Sequence, residues 1–455
     1  MNAVLMAKTE TKRALVVGLG LTGFSCVRYL AMRGYDVTVV DTRNVPPKLE
    51  ELQHEFPRVI AHTGGMPAAL FDDPGLLVVS PGVSVSEPEI VRAIENGAKA
   101  VGDIELFARE ATAPVVAVTG ANGKSTVTAL TGEICRRAGL ETAVGGNIGV
   151  PALSLLSDGE PDVYVLELSS FQLETTYSLN ARAATVLNVT ADHMDRYRDI
   201  DEYAQAKARI FRGNGTMVLN ADDTFVTRMR QSGRRTVYFG LERPAGAQDY
   251  GLEEINGVTW LVRGRDPLMA ASEVPLAGRH NLANTLAAMA LAEAAGVASE
   301  AACAAVREFK GLKHRTELVA ERGGVRWYDD SKGTNVGATK AALKGMTSPV
   351  VLIAGGDGKG QDFSGLRPAV AEHARAVVLI GRDAPLIEAA LGDAVALHRA
   401  RDMHDAVRIA RELAQPGDVV LLSPACASFD MFRNYEHRGE VFREAVNRLV
   451  DETAQ

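Results

Sequence analysis

Short apolar runs alternate with amphipathic segments along most of the chain. In the first part, runs typical of buried strands cover residues 13–17, 36–40 and 76–80, and helical spacing covers residues 21–33 and 87–96. Apolar runs bounded by turn residues predict strands, whereas apolar residues three and four positions apart predict helices. Strands that alternate with helices indicate a parallel, doubly wound sheet.

The alternation continues through two further blocks. Strands are predicted at residues 115–118, 163–166 and 184–187 in the second block and at residues 325–328, 350–354, 376–380 and 419–422 in the third. Helices are predicted at residues 124–138 and 200–211, as two short helices within residues 286–306, and from about residue 440 to 451. The dipeptide Asn256-Gly257 predicts a hairpin over residues 250–262. We therefore expect an α/β protein of three domains, 1–102, 103–311 and 312–455.

Length and composition agree with that organisation. At ~100–200 residues per domain, 455 residues predict about three domains. Apolar residues make up 46% and charged residues 23%, which argues against global disorder. A net charge of −8 and an aromatic content of 5% do not favour a nucleic-acid-binding protein, which needs basic residues and stacking rings.

The cysteines and the N-terminus bear on the cellular compartment. The cysteines are far apart in the sequence, with no CxxC pair and no zinc-ligand spacing: Cys26, Cys135, Cys303 and Cys426. We expect buried thiols in a reducing compartment. The stretch from Met1 to Lys12 has no apolar core of a signal peptide, and no uncharged apolar run is long enough to span a membrane. The expectation is a soluble cytoplasmic protein.

A glycine-rich turn lies between a strand and a helix of the second block. Its sequence is VTGANGKST at residues 118–126. Backbone N–H groups in such a turn converge on a phosphate, and the helix N-terminus adds partial positive charge. Lys124 can contact the β- and γ-phosphates, and the hydroxyl of Ser125 or Thr126 can bind Mg²⁺. Val118 replaces the first glycine of the strict motif, and an ordinary βα turn is the alternative. We predict ATP binding.

A second glycine-rich turn opens the first helix. Gly18, Gly20 and Gly23 follow the first predicted strand, and Asp41 comes at the end of the second. This spacing is typical of a dinucleotide-binding turn. The pattern alone fits NAD or the diphosphate of another nucleotide, such as a UDP-sugar. Two nucleotide turns in one chain are unusual for a dehydrogenase and favour an ATP-driven enzyme with a nucleotide-linked substrate.

Polar residues follow two strands of the second block. Glu167 comes after the strand at 163–166, and the sequence DHMD occupies residues 192–195. A carboxylate at a strand end beside a phosphate loop can hold Mg²⁺, although a helix-capping role is the alternative. His193 alone would be a satisfied surface or core histidine, but a nearby phosphate site favours a functional role. Lys207 lies within a predicted helix, where spacing alone predicts a solvated lysine.

Three polar sequences follow strands of the third block. They are DDSKGTN at residues 329–335, GGDGKG at residues 355–360 and SPACASFD at residues 423–430. The carboxyl ends of parallel strands form the edge where open α/β sheets bind ligands. Cys426 could be a nucleophile at this edge. Because no histidine is close in sequence and alanines flank it, we favour a packed thiol.

Taken together and in order, these motifs resemble the Mur ligases, which are cytoplasmic ATP-dependent amino-acid ligases of peptidoglycan assembly. The resemblance rests on residues 120–126 (GANGKST), 146–149 (GNIG), 167–172 (ELSSFQ), 192–195 (DHMD), 314–315 (HR) and 330–332 (DSK). The sequences at residues 41–43 (DTR), 355–359 (GGDGK) and 423–428 (SPACAS) resemble those of the members that add D-glutamate. The likeness covers nearly the whole chain.

The resemblance implies a fold and a reaction. The domain at 1–102 would be Rossmann-like and bind a UDP-sugar, the domain at 103–311 would be a P-loop ATPase with a mostly parallel sheet, and the Rossmann-like domain at 312–455 would bind the amino acid. ATP would phosphorylate the carboxylate of UDP-N-acetylmuramoyl-L-alanine. D-Glutamate would attack the acyl phosphate, giving a peptide bond, ADP and phosphate. The enzyme would be a monomer that serves cell-wall synthesis, cell shape and cell division.

The resemblance also implies roles for individual residues. Those expected at ATP are Gly120, Asn122, Gly123, Lys124, Ser125, Thr126, Asn281, Arg315 and Asp330, the last two reaching ATP when the domains close. Those expected at two Mg²⁺ ions are Ser125 and Glu167 at the first and His193 and Lys207 at the second. Lys207 would carry a carbamate formed with CO₂, which replaces an ammonium with an anion suited to a hard cation. Lys124, Glu167, His193 and Lys207 would be the catalytic residues.

The remaining implied contacts are with the two other substrates. Those expected at the UDP-sugar are Leu21, Thr22, Asp41, Thr42, Arg43, Gly82, Asn147, Gln172 and His193. Those expected at D-glutamate are Thr334, Lys359, Ser428, Phe429 and Tyr435. Phe429 stands where the family pattern has Leu, and Tyr435 where it has Phe; both changes fall in the pocket that selects the amino acid.

Three other functions remain open from the sequence. The first is another Mur ligase or a folylpolyglutamate synthetase, against which the sequence at 41–43 and the segments around Lys359 and Ser428 argue. The second is an NAD-dependent oxidoreductase, which leaves the loop before Lys124 unexplained. The third is a non-catalytic ATP-binding regulator, which the presence of Glu167, His193 and Lys207 disfavours.

Overall fold

Three separate β-sheets organise the chain. The computed structural model describes residues 12–157 and 159–451. Of the N-terminal stretch from Met1 to Lys12, only Lys12 lies within these residues. Each sheet is built mainly from parallel strands with helices between them, as the alternating pattern predicts.

The first sheet is parallel throughout, with strand order β3-β2-β1-β4-β5. Its elements are β1 (Arg13–Val17), α1 (Leu21–Met32), β2 (Asp36–Asp41), α2 (Leu49–Glu55), β3 (Ile60–Thr63), the 3₁₀ turn Ala68–Phe71, β4 (Leu76–Val79), α3 (Pro88–Glu95) and β5 (Ala100–Val101). The turn after β1 is tight, because a Cβ added to Gly23 would lie 1.8 Å from the carbonyl oxygen of Gly18. This close approach of α1 to the strand requires glycine.

The second sheet has the order β14-β13-β12-β11-β10-β9-β6-β8-β7. Its strands are β6 (Val115–Thr119), β7 (Thr142–Gly146), β8 (Val163–Glu167), β9 (Ala183–Val186), β10 (Thr216–Asn220), β11 (Thr236–Phe239), β12 (Tyr250–Ile255), β13 (Val258–Arg263) and β14 (Asp266–Ala270). Its helices are α4 (Asp103–Glu110), α5 (Lys124–Arg137), α6 (Ala152–Leu155), α7 (Ser170–Glu174), α8 (Ile200–Ala208), α9 (Thr224–Arg228), α10 (Arg279–Ala294) and α11 (Ser299–Glu308), with 3₁₀ turns at Arg209–Phe211 and Ala271–Glu273. The predicted hairpin is confirmed, since β12 and β13 pair antiparallel on either side of Asn256-Gly257.

The third sheet has the order β15-β16-β20-β17-β18-β19 and is parallel except for the pair β15 and β16. Its elements are β15 (Glu317–Arg322), β16 (Val325–Asp329), α12 (Val336–Gly345), β17 (Val350–Gly355), the 3₁₀ turn Ser364–Leu366, α13 (Arg367–His373), β18 (Ala374–Ile380), α14 (Ala384–Leu391), β19 (Ala396–Arg399), α15 (Met403–Leu413), β20 (Val419–Leu422) and α16 (Tyr435–Asp451).

Two helices begin earlier than the apolar spacing predicts. The last helix was expected from about residue 440 but begins at Tyr435, because its first turn is anchored by a charged residue. Arg438 is fully buried and donates to Ser331 and to the carbonyl oxygens of Cys426 and Ala427. The first of the two short Ala-rich helices also begins early, at Arg279, because polar residues of its first turns are buried against other parts of the chain.

Two further sequence expectations can be compared with the described residues. All four cysteines are buried free thiols, and Cys426 is packed as expected. No helix in the described part of the chain combines the length and the apolar character needed to cross a membrane.

The second and third sheets meet with the carboxyl ends of their strands facing each other. α10 packs against α5, which follows a strand of the second sheet, and against α12, which follows a strand of the third sheet. Asn335, at the start of α12, donates to Asn122 and Asp192 in loops of the second sheet at 3.3 and 3.1 Å. The carboxyl ends of strands from both sheets therefore border one common space.

Candidate active site

The glycine-rich turn after β6 folds back onto a lysine. Gly120 and Gly123 have φ angles of +156° and +85°, values that favour glycine, and the turn ends where α5 begins at Lys124. The Nζ atom of Lys124 donates to the carbonyl oxygens of Gly120 and Ala121 at 2.9 Å each. Lys124 is therefore held over the loop at the N-terminus of α5, where a phosphate is favoured.

Lys207 shares a hydrogen-bond acceptor with Lys124. Its side chain is 1% exposed and its Nζ atom donates to the carbonyl oxygen of Gly120 at 2.9 Å. Burial lowers the pKa of both lysines, and the charge of Lys124 lowers the pKa of Lys207 further. The expectation of a solvated lysine from helical spacing was wrong, because α8 turns this position towards the loop.

Glu167, the last residue of β8, presents a buried carboxylate beside this turn. One oxygen accepts from Nδ2 of Asn147 at 2.7 Å, whereas Oε2 is buried without a hydrogen-bond partner in the described part of the chain. A buried carboxylate oxygen without a partner is costly and fits a cation. Ser125, in the first turn of α5, is also buried, and its hydroxyl accepts from Arg315 at 2.6 Å.

His193 stands in a strained turn against aromatic rings. Its φ angle is +57°, and its ring meets Phe171 edge to face at a centroid distance of 4.8 Å, with Tyr203 at 6.4 Å. Burial lowers the pKa of His193, and Lys124, Lys207 and Lys359 lower it further against the opposing effect of Asp192. A neutral imidazole can accept a hydrogen bond or ligate a metal ion.

The third sheet contributes a short turn with strained backbone. His314 and Thr316 have φ angles of +62° and +48°, so the turn places Arg315 towards the second sheet. Nδ1 of His314 lies 2.7 Å from Asp329, and the N–H of Thr316 donates to Asp330 at 3.1 Å. Burial raises the pKa of Asp330 to about 7, although Ser423, Arg315 and Thr316 act in the opposite direction.

Two cavities adjoin these residues, and a third lies at the first sheet. The first, a cleft of about 920 Å³, is lined from both sheets by residues 121–125 of the glycine-rich turn, by Glu167, His193 and Lys207, and by residues 312–315. A second cavity of about 330 Å³ lies on the other side of the loop and is lined by Asn122, Gly123, Thr126, Asn281, Arg315 and Asp330. The third, of about 360 Å³, lies at the edge of the first sheet. We call them the cleft, the loop cavity and the edge cavity.

Six of the residues expected at a UDP-sugar line the edge cavity: Leu21, Thr22, Asp41, Thr42, Arg43 and Gly82. Asp41 accepts from the N–H of Leu19 at 2.8 Å and pairs with Arg43 at 2.6 Å. Burial alone would raise the pKa of Asp41, but these donors outweigh it and lower the pKa. A fixed anion beside a glycine-rich turn can accept from nucleoside hydroxyl or amide groups.

The other three expected sugar-nucleotide residues lie elsewhere, and one of them, His193, lines the cleft. Asn147 lines the cleft. Gln172 is buried and lines none of the three cavities; its Nε2 atom donates to Asp103 at 2.9 Å and its Oε1 atom accepts from the N–H of Ser169 at 3.0 Å. Both ends of this amide are therefore used within the protein.

The residues expected at D-glutamate are divided in the same way. Thr334, Lys359 and Tyr435 line the cleft. Ser428 is buried and Phe429 is 70% exposed, and neither lines one of the three cavities. The cleft thus brings together one cation, one hydroxyl and one aromatic ring of the expected amino-acid pocket.

Sequence reasoning missed two groups in the cleft. Phe171 and Tyr203 flank His193 and would have been classed as ordinary core aromatics. Lys332 lines both the cleft and the loop cavity. Its place in the sequence DSK, directly between expected ATP and amino-acid residues, was the signal that could have identified it.

A different cluster of metal-type donors occurs at the edge of the cleft. Among the described residues, His314, Glu317 and Asp329 form a group close enough to share a metal ion. His314 and Asp329 contact each other, however, and Glu317 pairs with Arg443 at 2.7 Å. These donors already have protein partners, so we assign them to holding the turn around Arg315.

Comparisons with known proteins agree with this geometry. Family models match three consecutive segments: the Mur ligase MurD-like N-terminal domain at residues 12–102, the Mur ligase middle domain at 118–292 and the Mur ligase glutamate ligase domain at 314–426. The chain belongs to the Mur ligase family. Its three-sheet architecture with the glycine-rich turn after β6 is thereby that of a Mur ligase.

Curated relatives match over almost their full length. A Methylobacillus flagellatus protein named UDP-N-acetylmuramoylalanine--D-glutamate ligase is 56% identical over 447 residues, covering 98% of each chain. A Nitrosococcus oceani protein of the same name is 54% identical over 439 residues, covering 96% of this chain and 97% of that protein. Among solved structures, the Mur ligase MurC from Thermotoga maritima has a TM-score of 0.60 at 19% identity, covering 96% of this chain and 99% of that one, which supports the fold.

Replacing Lys124 tests whether the glycine-rich turn of this Mur ligase binds the phosphates of ATP. In Lys124→Ala we expect ATP to bind at least ~10-fold more weakly, because a charge-assisted contact to phosphate is lost, while the fold is retained. Titration of a fluorescent ATP analogue measures the affinity, and circular dichroism checks the fold. The exposed Lys344 of α12 provides the matched control, Lys344→Ala. Unchanged ATP affinity in Lys124→Ala would remove the lysine from the phosphate site.

Proposed function

We propose that this chain is an ATP-dependent ligase that joins D-glutamate to UDP-N-acetylmuramoyl-L-alanine, giving ADP and phosphate, in peptidoglycan precursor synthesis. The observation that carries the proposal is the full-length likeness, at 56% and 54% identity, to relatives named as this ligase. The third family model, described as a glutamate ligase domain, supports the same amino acid. We place the reaction in the cytoplasm and the enzyme in a monomeric state, as the family resemblance implies.

The chemistry requires activation of a carboxylate. A carboxylate is a poor electrophile because its oxide is a bad leaving group, and phosphorylation by ATP replaces that oxide with phosphate. The amine of D-glutamate then attacks, and the tetrahedral intermediate collapses to the peptide bond. Such a reaction depends mainly on positioning and on neutralising negative charge. Lys124 supplies charge at the phosphates, while Arg315 and Asp330 approach the same loop from the third sheet.

The residues proposed for Mg²⁺ suit a hard cation. The unpartnered Oε2 atom of Glu167 and the hydroxyl of Ser125 would hold the first ion beside the loop. His193 and a carbamate on Lys207 would hold the second. The metal ions would neutralise charge on the phosphate oxygens. Because Arg315 donates to Ser125 in this structure, the guanidinium would have to yield that hydroxyl to the metal.

The cavities are assigned to three substrates. The edge cavity would hold the uridine end of the sugar nucleotide, with the acceptor carboxylate reaching the cleft near Asn147. The loop cavity, lined by Asn281, would hold adenosine. D-Glutamate would enter the cleft beside Lys359, Thr334 and Tyr435, and its carboxylates would bind the cationic groups there. Ser428, Phe429 and Gln172 would reach the substrates only through local rearrangement.

The first experiment is phosphate release from ATP and Mg²⁺ with UDP-N-acetylmuramoyl-L-alanine as acceptor. D-Glutamate, L-glutamate, L-alanine and meso-diaminopimelate are compared as the incoming amino acid. We expect release that requires D-glutamate, since the third domain selects the amino acid. Release with another amino acid would indicate a different Mur ligase. No release with any of them would contradict the acceptor assignment.

The activity of the enzyme should depend on CO₂ through a carbamate on Lys207. A carbamate forms on an unprotonated amine, and burial lowers the pKa of Lys207 towards that state. We expect activity to fall when bicarbonate and CO₂ are removed and to recover when bicarbonate is restored. The activity of Lys207→Arg should be lower than that of the wild type by ~100-fold or more at every bicarbonate concentration. A guanidinium stays charged and therefore cannot form a carbamate. Full activity of this variant would contradict the carbamate.

Lys359 should act on amino-acid binding rather than on the chemical step. In Lys359→Ala we expect the KM for D-glutamate to rise by ~10- to 100-fold, because a charge-assisted hydrogen bond worth about 1.4–2.7 kcal/mol is lost. The kcat and the KM for ATP should stay within about threefold of wild type. Steady-state kinetics with each substrate varied in turn measure the three constants. An unchanged KM for D-glutamate would place Lys359 outside the pocket.

A further inference from the structure

Lys332 occupies a position between two groups of proposed substrate contacts. It lies on the loop that follows β16, two residues after Asp330 and two residues before Thr334. Its N–H donates to the carbonyl oxygen of His314 at 3.1 Å, and its carbonyl oxygen accepts from the N–H of Thr334 at 2.8 Å. Lys332 lines both the cleft and the loop cavity. It therefore stands between the nucleotide side and the amino-acid side of the site.

The amine of Lys332 is held without an ionic partner. Within the described residues its side chain makes no hydrogen bond or salt bridge, whereas Lys124 and Lys207 both donate to Gly120. Its Nζ atom lies 3.7 Å from the centre of the Tyr435 ring, close enough for a cation–π contact once the amine carries a proton. The amine is thus available to a ligand in the cleft.

Burial and nearby charges act on the pKa of Lys332 in different directions. Burial lowers the pKa of Lys332 to about 8, and the nearby charges of Arg315 and Lys124 lower it as well. Glu167 and Glu436 act in the opposite direction. A lysine in this environment can exchange a proton near neutral pH, as an ordinary lysine cannot.

The proposed ligation needs a group that accepts a proton from the incoming amino acid. D-Glutamate enters as an ammonium ion, which has no lone pair, and it must lose a proton before it can attack the acyl phosphate. Glu167 is proposed to hold a metal ion, and Asp192 accepts a hydrogen bond from Asn335. Lys124 and Lys207 both donate to the carbonyl oxygen of Gly120. Lys332 is next to Thr334 and Tyr435, where the amino acid is proposed to bind.

We propose that Lys332 is the general base that accepts a proton from the ammonium group of D-glutamate. This inference rests on the proposed function. The lone pair of the neutral Lys332 amine takes one proton, and the freed nitrogen lone pair forms the bond to the acyl carbon. On collapse, the carbon–oxygen bond to phosphate breaks, the phosphate leaves with the electron pair, and the second proton passes from nitrogen to the departing phosphate.

The test separates proton removal from phosphate binding. Hydroxylamine is largely unprotonated near neutral pH and traps an acyl phosphate as a hydroxamate without help from a base. Lys332→Arg keeps the positive charge but cannot act as a base. We expect this variant to form hydroxamate from UDP-N-acetylmuramoyl-L-alanine and ATP within about threefold of wild type. Its kcat for D-glutamate ligation should fall by ~100-fold or more, the usual contribution of general base catalysis.

The pH profile provides a second readout. In the wild type, kcat/KM for D-glutamate should rise with pH through an apparent pKa near 8, because only the neutral amine accepts a proton. In Lys332→Arg that inflection should disappear. Lys344→Arg, an exposed position on α12, is the matched control and should behave as wild type in both assays.

Other results of these assays would contradict the role of Lys332 as the base. Equal loss of hydroxamate and peptide formation in Lys332→Arg would show that the lysine serves acyl phosphate formation instead. Retention of both would place it outside the reaction. If wild-type enzyme makes hydroxamate but does not ligate D-glutamate, the proposed function fails independently of Lys332.

Discussion

The carbonyl oxygen of Gly120 accepts hydrogen bonds from two lysines, and the site is built around that shared contact. Lys124 comes from the helix after the turn, and Lys207 comes from a helix more than eighty residues further along. Two ammonium groups on one oxygen would repel each other, and burial together with the charge of Lys124 lowers the pKa of Lys207. Their burial and mutual repulsion favour an anionic ligand or a neutral amine at this place.

Charged side chains from other parts of the chain also lie beside this turn. Glu167 ends its strand beside the turn with one oxygen unpartnered, and Arg315 arrives from the third sheet to contact Ser125. The turn that carries Arg315 has strained backbone, which contacts to Asp329 and Asp330 stabilise. Strain of this kind persists where the surroundings over-determine it, and it is common at functional sites. The third sheet therefore contributes to the proposed nucleotide site as well as to the proposed amino-acid site.

Much of the fold could be predicted from residue patterns, because buried parallel strands are short apolar runs with clear ends. The bounds of β1 and β20 agree with the apolar runs, and the hairpin at Asn256-Gly257 follows from its turn chemistry. Strands β10 and β11 were not predicted, although they are central to the second sheet. The start of α16 was missed because a buried arginine, Arg438, replaces the apolar residue that the pattern requires.

The sequence by itself determined the three α/β blocks, the two glycine-rich turns and the polar strand ends, because these depend on local spacing and backbone freedom. The tertiary structure alone decided which polar residues meet. Helical spacing describes Lys207 as solvated, yet packing buries it against the loop. Gln172 and Ser428 match a family pattern but lie outside the cavities, while Lys332 lies between two of them. Burial and proximity across three sheets are properties of long-range packing, which no single segment encodes.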